Sequence, residues 1–130
     1  MKNSTCLLLL LGLFQCCTSS TPTAQATLDG RTFKIESFTG GKSEGMENMI
    51  FKAGKVENDV CTQWGFGDAP YTYDPKSGVF KYTLTSATEG RMDWEGTVSA
   101  NAVSGKMVWV KAGQNDIHYT FQGAEEPGGK

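Results

Sequence analysis

The sequence predicts an all-β domain, a small antiparallel meander closing into a barrel of roughly eight strands. Three observations carry this. Apolar residues recur with period two over several stretches, glycines and Asn/Asp residues punctuate the chain at short intervals, and no segment of useful length shows helical periodicity. Alternation buries one face of an extended segment and leaves the other wet. A meander of such strands carries two open edges, and closing it removes them.

The chain opens on Lys2 and a greasy run from Leu7 through Leu11, Gly12, Leu13 and Phe14. That is the layout of a signal peptide, expected over residues 1–17. A spanning helix needs about 20 apolar residues, and this run reaches roughly half of that before Gln15 and the Ser/Thr cluster that follows. Thr18 to Thr27, TSSTPTAQAT, is polar and contains a proline, which reads as a flexible tether. The folded domain is expected over 28–123, an ordinary size for one domain, with a disordered tail over 124–130. The whole chain carries twelve Lys/Arg, Lys2 among them, against fourteen Asp/Glu, without a basic run. Counterion release needs a basic face, so this balance argues against a nucleic-acid partner. Cys61 is the only cysteine within the domain, which leaves no internal disulfide and puts stability on the core.

The core is written as Phe33 and Ile35; Phe80, Tyr82 and Leu84; Met92, Trp94 and Val98; then Ile117, Tyr119 and Phe121. Turn signals fall at Gly40-Gly41, Ala53-Gly54, Pro75 to Gly78, Glu89-Gly90, Asn101 and Gly113 to Asp116. A turn at Ala100-Asn101 registers its flanking strands residue by residue: Val98 with Val103, Gly96 with Gly105, Trp94 with Met107, Met92 with Trp109. The same register sets Glu95 opposite Lys106 on the other face, an opposite-charge pair that supports it. Gly96 opposite Gly105 leaves bare backbone in mid-sheet, the mark of a barrel corner, with Phe80 or Phe121 placed to cover it. Phe33, Phe80, Tyr82, Trp94, Trp109, Tyr119 and Phe121 all claim the interior. The expectation is a mostly packed barrel with a shallow mouth.

Leu13-Phe14-Gln15-Cys16 resembles the bacterial lipobox, in which a Leu stands three residues before a cysteine that is acylated and becomes the new N-terminus. Phe14 and Gln15 stand where that motif carries small residues. The resemblance implies lipidation at Cys16, with Cys17 as the alternative and an ordinary secretory cut near Ser19 as the third reading. It places the protein on the membrane surface of the cell envelope through its acyl anchor, or, without the anchor, in the secreted soluble fraction. LDGRTFKI resembles the opening strand of calycin proteins, where a glycine precedes an aromatic that plugs the barrel floor. WEGTVSANAVSGKMVWVKAGQNDIHYTFQG resembles the closing strands of small lipocalin-like domains of exported bacterial proteins. Phe33 stands where a lipocalin carries Trp, one residue later than the usual spacing. The resemblance implies a calycin-like barrel and carriage of a small apolar molecule, although one fold hosts many functions.

No catalytic constellation emerges, and the chain is read as a non-enzyme without metal or cofactor. His118, the only histidine, alternates with Ile117 and Tyr119 and should point outward, short of a zinc ligand set. Asp93 with Glu95, and Glu57 with Asp59, fit a solvated outer face. Cys61 has no neighbouring base, and Gly65-Phe66-Gly67 lacks the rest of a phosphate-binding loop. What stands out is CTQWGFGDAPYTY, Cys61 to Tyr73, expected as a loop presenting Trp64, Phe66, Tyr71 and Tyr73 as ligand-binding residues. The same aromatics could instead fold over one barrel end as a plug. Two functions follow: a module binding a small apolar ligand, and an envelope interaction or inhibitor module acting through this loop.

Overall fold

The computed structural model describes residues 27–127; the expected signal segment with Cys16 and Cys17, and the tether as far as residue 26, lie outside the described residues. Eight strands follow one another: β1 (Thr32–Thr39), β2 (Lys42–Lys52), β3 (Lys55–Asn58), β4 (Ala69–Tyr73), β5 (Val79–Ser86), β6 (Gly90–Ser99), β7 (Ala102–Val110) and β8 (Ile117–Glu125). Each pairs antiparallel with the next, and β8 returns to β1, so the meander closes into a barrel. The β6–β7 hairpin has the register expected from its sequence, Val98↔Val103 through Met92↔Trp109, with Glu95↔Lys106 on the outer face. A Cβ on Gly96 would lie 2.6 Å from the Phe80 ring, and one on Gly105 2.7 Å from the Phe121 ring. The two bare positions are thus covered by aromatics of β5 and β8, which lets the sheet bend sharply there.

Two boundaries differ from expectation. Ala124 and Glu125 belong to β8, pairing with Lys34 and Phe33, so the sheet continues two residues into the expected tail. Cys61 to Tyr73 is also not one loop: a short 3-10 turn (Cys61–Trp64) leads through Gly65 to Asp68 into β4. In β4, Ala69, Tyr71 and Tyr73 are half-buried while Pro70 and Thr72 are exposed, an alternation that the proline disguises. The seam it makes with β3 is thin, limited to Lys55↔Pro70 and Val56↔Ala69.

The barrel has a filled end and an open one. At the filled end Phe51 sits among Phe33, Tyr71, Phe80 and Tyr82, with ring centroids 4.9 to 6.4 Å apart and planes near perpendicular. Leu28 is fully buried in the same core, and the Tyr71 hydroxyl accepts its backbone N–H at 3.0 Å. Arg31 makes a bidentate pair with Glu125, donates to the Ala100 carbonyl, and stacks 5.0 Å over Phe33. Asp29 accepts the Tyr71 hydroxyl at 2.7 Å and the Gly54 amide at 3.0 Å.

A candidate binding cavity at the open end

At the opposite end the inward alternation changes character. β1 runs Phe33, Ile35, Ser37; β2, read back from Phe51, runs Met49, Glu47, Gly45; β3 runs Val56, Asn58. Each strand ends its inward row on small or polar residues. The result is a cavity of about 490 Å³ open to solvent, within the range of roughly 300 to 1,000 Å³ typical of ligand sites. A bulge in the β1–β2 hairpin, where Ser37↔Gly45 is followed by Phe38↔Ser43, leaves Glu44 without a cross-strand partner at the mouth. Bulges of this kind re-aim side chains beside binding sites.

Glu47 lies at the base. Its carboxylate accepts Ser37 Oγ at 3.2 Å, Asn58 Nδ2 at 3.2 Å and Cys61 Sγ at 3.6 Å. Asn58, itself buried, accepts the Tyr82 hydroxyl at 2.8 Å, which extends the network into the core. Burial raises the Glu47 carboxyl above its ordinary value, and the three hydrogen bonds only partly offset that. Burial first, and then the charge of Glu47, also pushes the Cys61 thiol up, and the Tyr82 hydroxyl is raised chiefly by its own burial.

The walls are apolar. Phe66 (1% exposed), Met92 and Met107 line one part, Trp109 and Tyr119 another. Trp109 is held by its indole N–H, which donates to the Glu89 carbonyl at 2.7 Å; Lys111 reaches the Glu89 carboxylate at 2.7 Å and lies 5.9 Å from the Trp109 ring centroid. The connection from β3 to β4 forms a partial lid. Its 3-10 turn ends at Gly65, whose φ of 83° is one that a side chain would strain. That reversal turns Phe66 inward and leaves Trp64 outside, with the Trp64 carbonyl fastened by Ser86 Oγ at 2.9 Å. Met46 (50% exposed), Val60 (43%) and Trp64 (58%) are the exposed large apolar residues of the described chain; Val60 and Trp64 lie on this rim, and Met46, on the outward row of β2, borders both the rim and the outer groove beside Lys34 and Gln122.

The structure therefore separates the four aromatics singled out from the sequence. Trp64 and Phe66 line the cavity. Tyr71 and Tyr73 do not: they belong to β4, Tyr71 packing on Phe51 at the filled end and Tyr73 beside Arg31 and Gly78. Trp109, expected as core beside the fully enclosed Trp94, faces inward as the register required but ends at the mouth, half-buried. The barrel is thus packed at one end and carries a solvent-open cavity at the other. Sequence reasoning passed over Glu47, Met46 and Met92 as cavity residues; the signal present was the polar ending shared by three inward rows. His118 is exposed on β8, as its alternation required, while Cys61 is buried. Among the described residues, no group of three or more His, Cys, Asp or Glu could hold a metal ion. No protein-family model, no curated protein and no solved structure matches the chain, so the cavity itself must carry the functional reading.

Proposed function

We propose that this protein is an exported barrel, anchored by an acylated Cys16, that binds a small, largely apolar molecule in its open end as a lipocalin-like carrier. The single observation behind the binding reading is the coincidence of cavity and rim: the exposed large apolar residues of the described chain gather around an apolar hollow of ligand size. The anchor rests on the leader and on Leu13 before Cys16. A non-catalytic role fits the chemistry of the site, because a thiol pushed up by burial and by a neighbouring carboxylate is a poor nucleophile. An envelope partner docking on Trp64, Met46 and Val60 is the second reading. The hollow beneath them favours the small ligand, since a docking surface has no use for volume below it.

The test is native mass spectrometry of the protein isolated from its own membranes, before and after extraction with organic solvent. A ligand mass that extraction removes is expected, on a chain whose N-terminal acyl mass disappears in Cys16→Ser. A bare protein that also fails to bind the neutral fluorophore N-phenyl-1-naphthylamine would end the carrier reading. Acylation that persists in Cys16→Ser would move the anchor to Cys17.

A further inference from the structure

Three glutamates line the cavity, Glu44, Glu47 and Glu89, and among the described residues no lysine, arginine or histidine does. Glu89 is already matched by Lys111. Glu44 and Glu47 enter none of the ion pairs among the described residues. The donors that reach Glu47, from Ser37, Asn58 and Cys61, are all neutral, so they orient the carboxylate without balancing its charge. Among the described residues its Oε1 accepts only Ser37 Oγ, which leaves a lone pair.

A carboxylate partly withdrawn from water without a counter-charge costs free energy, and its neutral donors only partly offset that cost. A glutamine in its place would accept and donate in the same network without that cost. The aromatic walls point to the same complement, since the faces of indole and phenol rings attract cations, the more strongly where water is displaced. Lys111, held by Glu89 at 2.7 Å, lies 5.9 Å from the Trp109 ring centroid at the edge of the cavity.

We infer that the ligand of this cavity is an organic cation, an amine or quaternary ammonium on an apolar body, with its charge toward Glu47 and its apolar part against Trp109, Tyr119 and Phe66. The inference rests on the carrier reading and narrows it. Glu44 at the mouth adds a second negative charge on the entry path, which attracts cations and repels carboxylate-bearing lipids.

Three isosteric probes test it on the full-length protein by calorimetric titration at neutral pH: 4-phenylbutylamine, 4-phenylbutanol and 4-phenylbutyrate. The amine should bind about tenfold tighter than the alcohol, the gain of one desolvated charge and cation–π contact, and the carboxylate weakest. Glu47→Gln should collapse the ratio of amine to alcohol affinity to near one, and the alcohol titration of that variant reports that it is folded. An alcohol that binds as well as the amine, or a ratio that Glu47→Gln leaves intact, overturns the cation while keeping the carrier. Failure of all three probes overturns both.

Discussion

Asp29 and Glu47 sit at opposite ends of one barrel, and their surroundings act on them in opposite senses. At the filled end the Tyr71 hydroxyl, then the Gly54 amide, hold the Asp29 carboxyl below its ordinary value, so the anion belongs there. At the open end burial pushes Glu47 up, so its anion is out of place. The contrast extends to their neighbours. Arg31 and Glu125 neutralise each other through two hydrogen bonds at the filled end, whereas the mouth leaves Glu44 and Glu47 outside the ion pairs of the described residues and three large apolar side chains in water. Departures from local consistency of this kind concentrate where a protein meets something other than itself.

The comparison breaks most readily at Phe51. It is 1% exposed and touches four aromatic rings, so Phe51→Ala should cost about 3 to 5 kcal/mol, a large share of the roughly 5 to 15 kcal/mol that holds a domain. Met46→Ala at the mouth should stay within about 0.5 kcal/mol, as exposed positions do. Urea denaturation midpoints of the two variants check this. A small shift for Phe51→Ala, or equal shifts for both, would mean that stability is spread evenly and the two ends do not differ.

Much of the barrel was legible in the sequence because its strands obey a two-residue period. Met92 to Val98 and Val103 to Trp109 offered one register that put every apolar partner on one face, and a second face with Glu95 opposite Lys106 to confirm it. β4 reads as loop because Pro70 and the nearby Gly65 and Gly67 outweigh the alternation of Ala69, Tyr71 and Tyr73. The cavity was obscured for a related reason. A pattern search rewards apolar residues at inward positions, and Ser37, Glu47 and Asn58 are inward positions that are polar. The inner wall of the mouth thus reads as a fading of the strand signal. Proximity is the other missing quantity: nothing in one dimension sets Glu47 of β2 beside Cys61, fourteen residues on, or places Tyr71 and Trp64 at opposite ends.

A smaller effect sharpens the contrast through pH. The folded state holds the proton of Glu47 more tightly than the unfolded chain does. Stability from this group is therefore fully present below the ordinary value of 4.5 and is lost as pH rises through the raised folded value. The groups facing it are Ser37 from β1, Asn58 from β3, Cys61 and Tyr82, with Asp59 adding a like charge. Asp29 has the opposite sign. Its folded value is depressed, so its contribution is present above the ordinary 3.8 and lost as pH falls through the depressed value. Melting temperatures measured across the acid range should show Glu47→Gln gaining on the wild type as pH rises toward neutrality, and Asp29→Asn gaining on it as pH falls. Parallel profiles for the two variants would show the ends to be electrostatically alike.

The smallest effect on stability, and the most informative about the mouth, is expected at Trp64. The loop that carries it contains both a plug and a rim, one residue apart across Gly65. Phe66 is enclosed, while Trp64 is 58% exposed and is fastened to Ser86 by its backbone carbonyl, a bond that a substitution of the side chain leaves in place. Trp64→Ala should therefore move the denaturation midpoint by no more than about 0.5 kcal/mol. The loss of its ring should weaken binding of 4-phenylbutanol by about threefold to tenfold, the range of one partly desolvated aromatic contact. Phe66→Ala should reverse the order, costing about 3 kcal/mol or more of stability because an enclosed ring leaves a void. If Trp64→Ala lowers stability as far as Phe66→Ala does, the rim is part of the core after all, and the apolar exposure at the mouth no longer marks a place where a ligand enters.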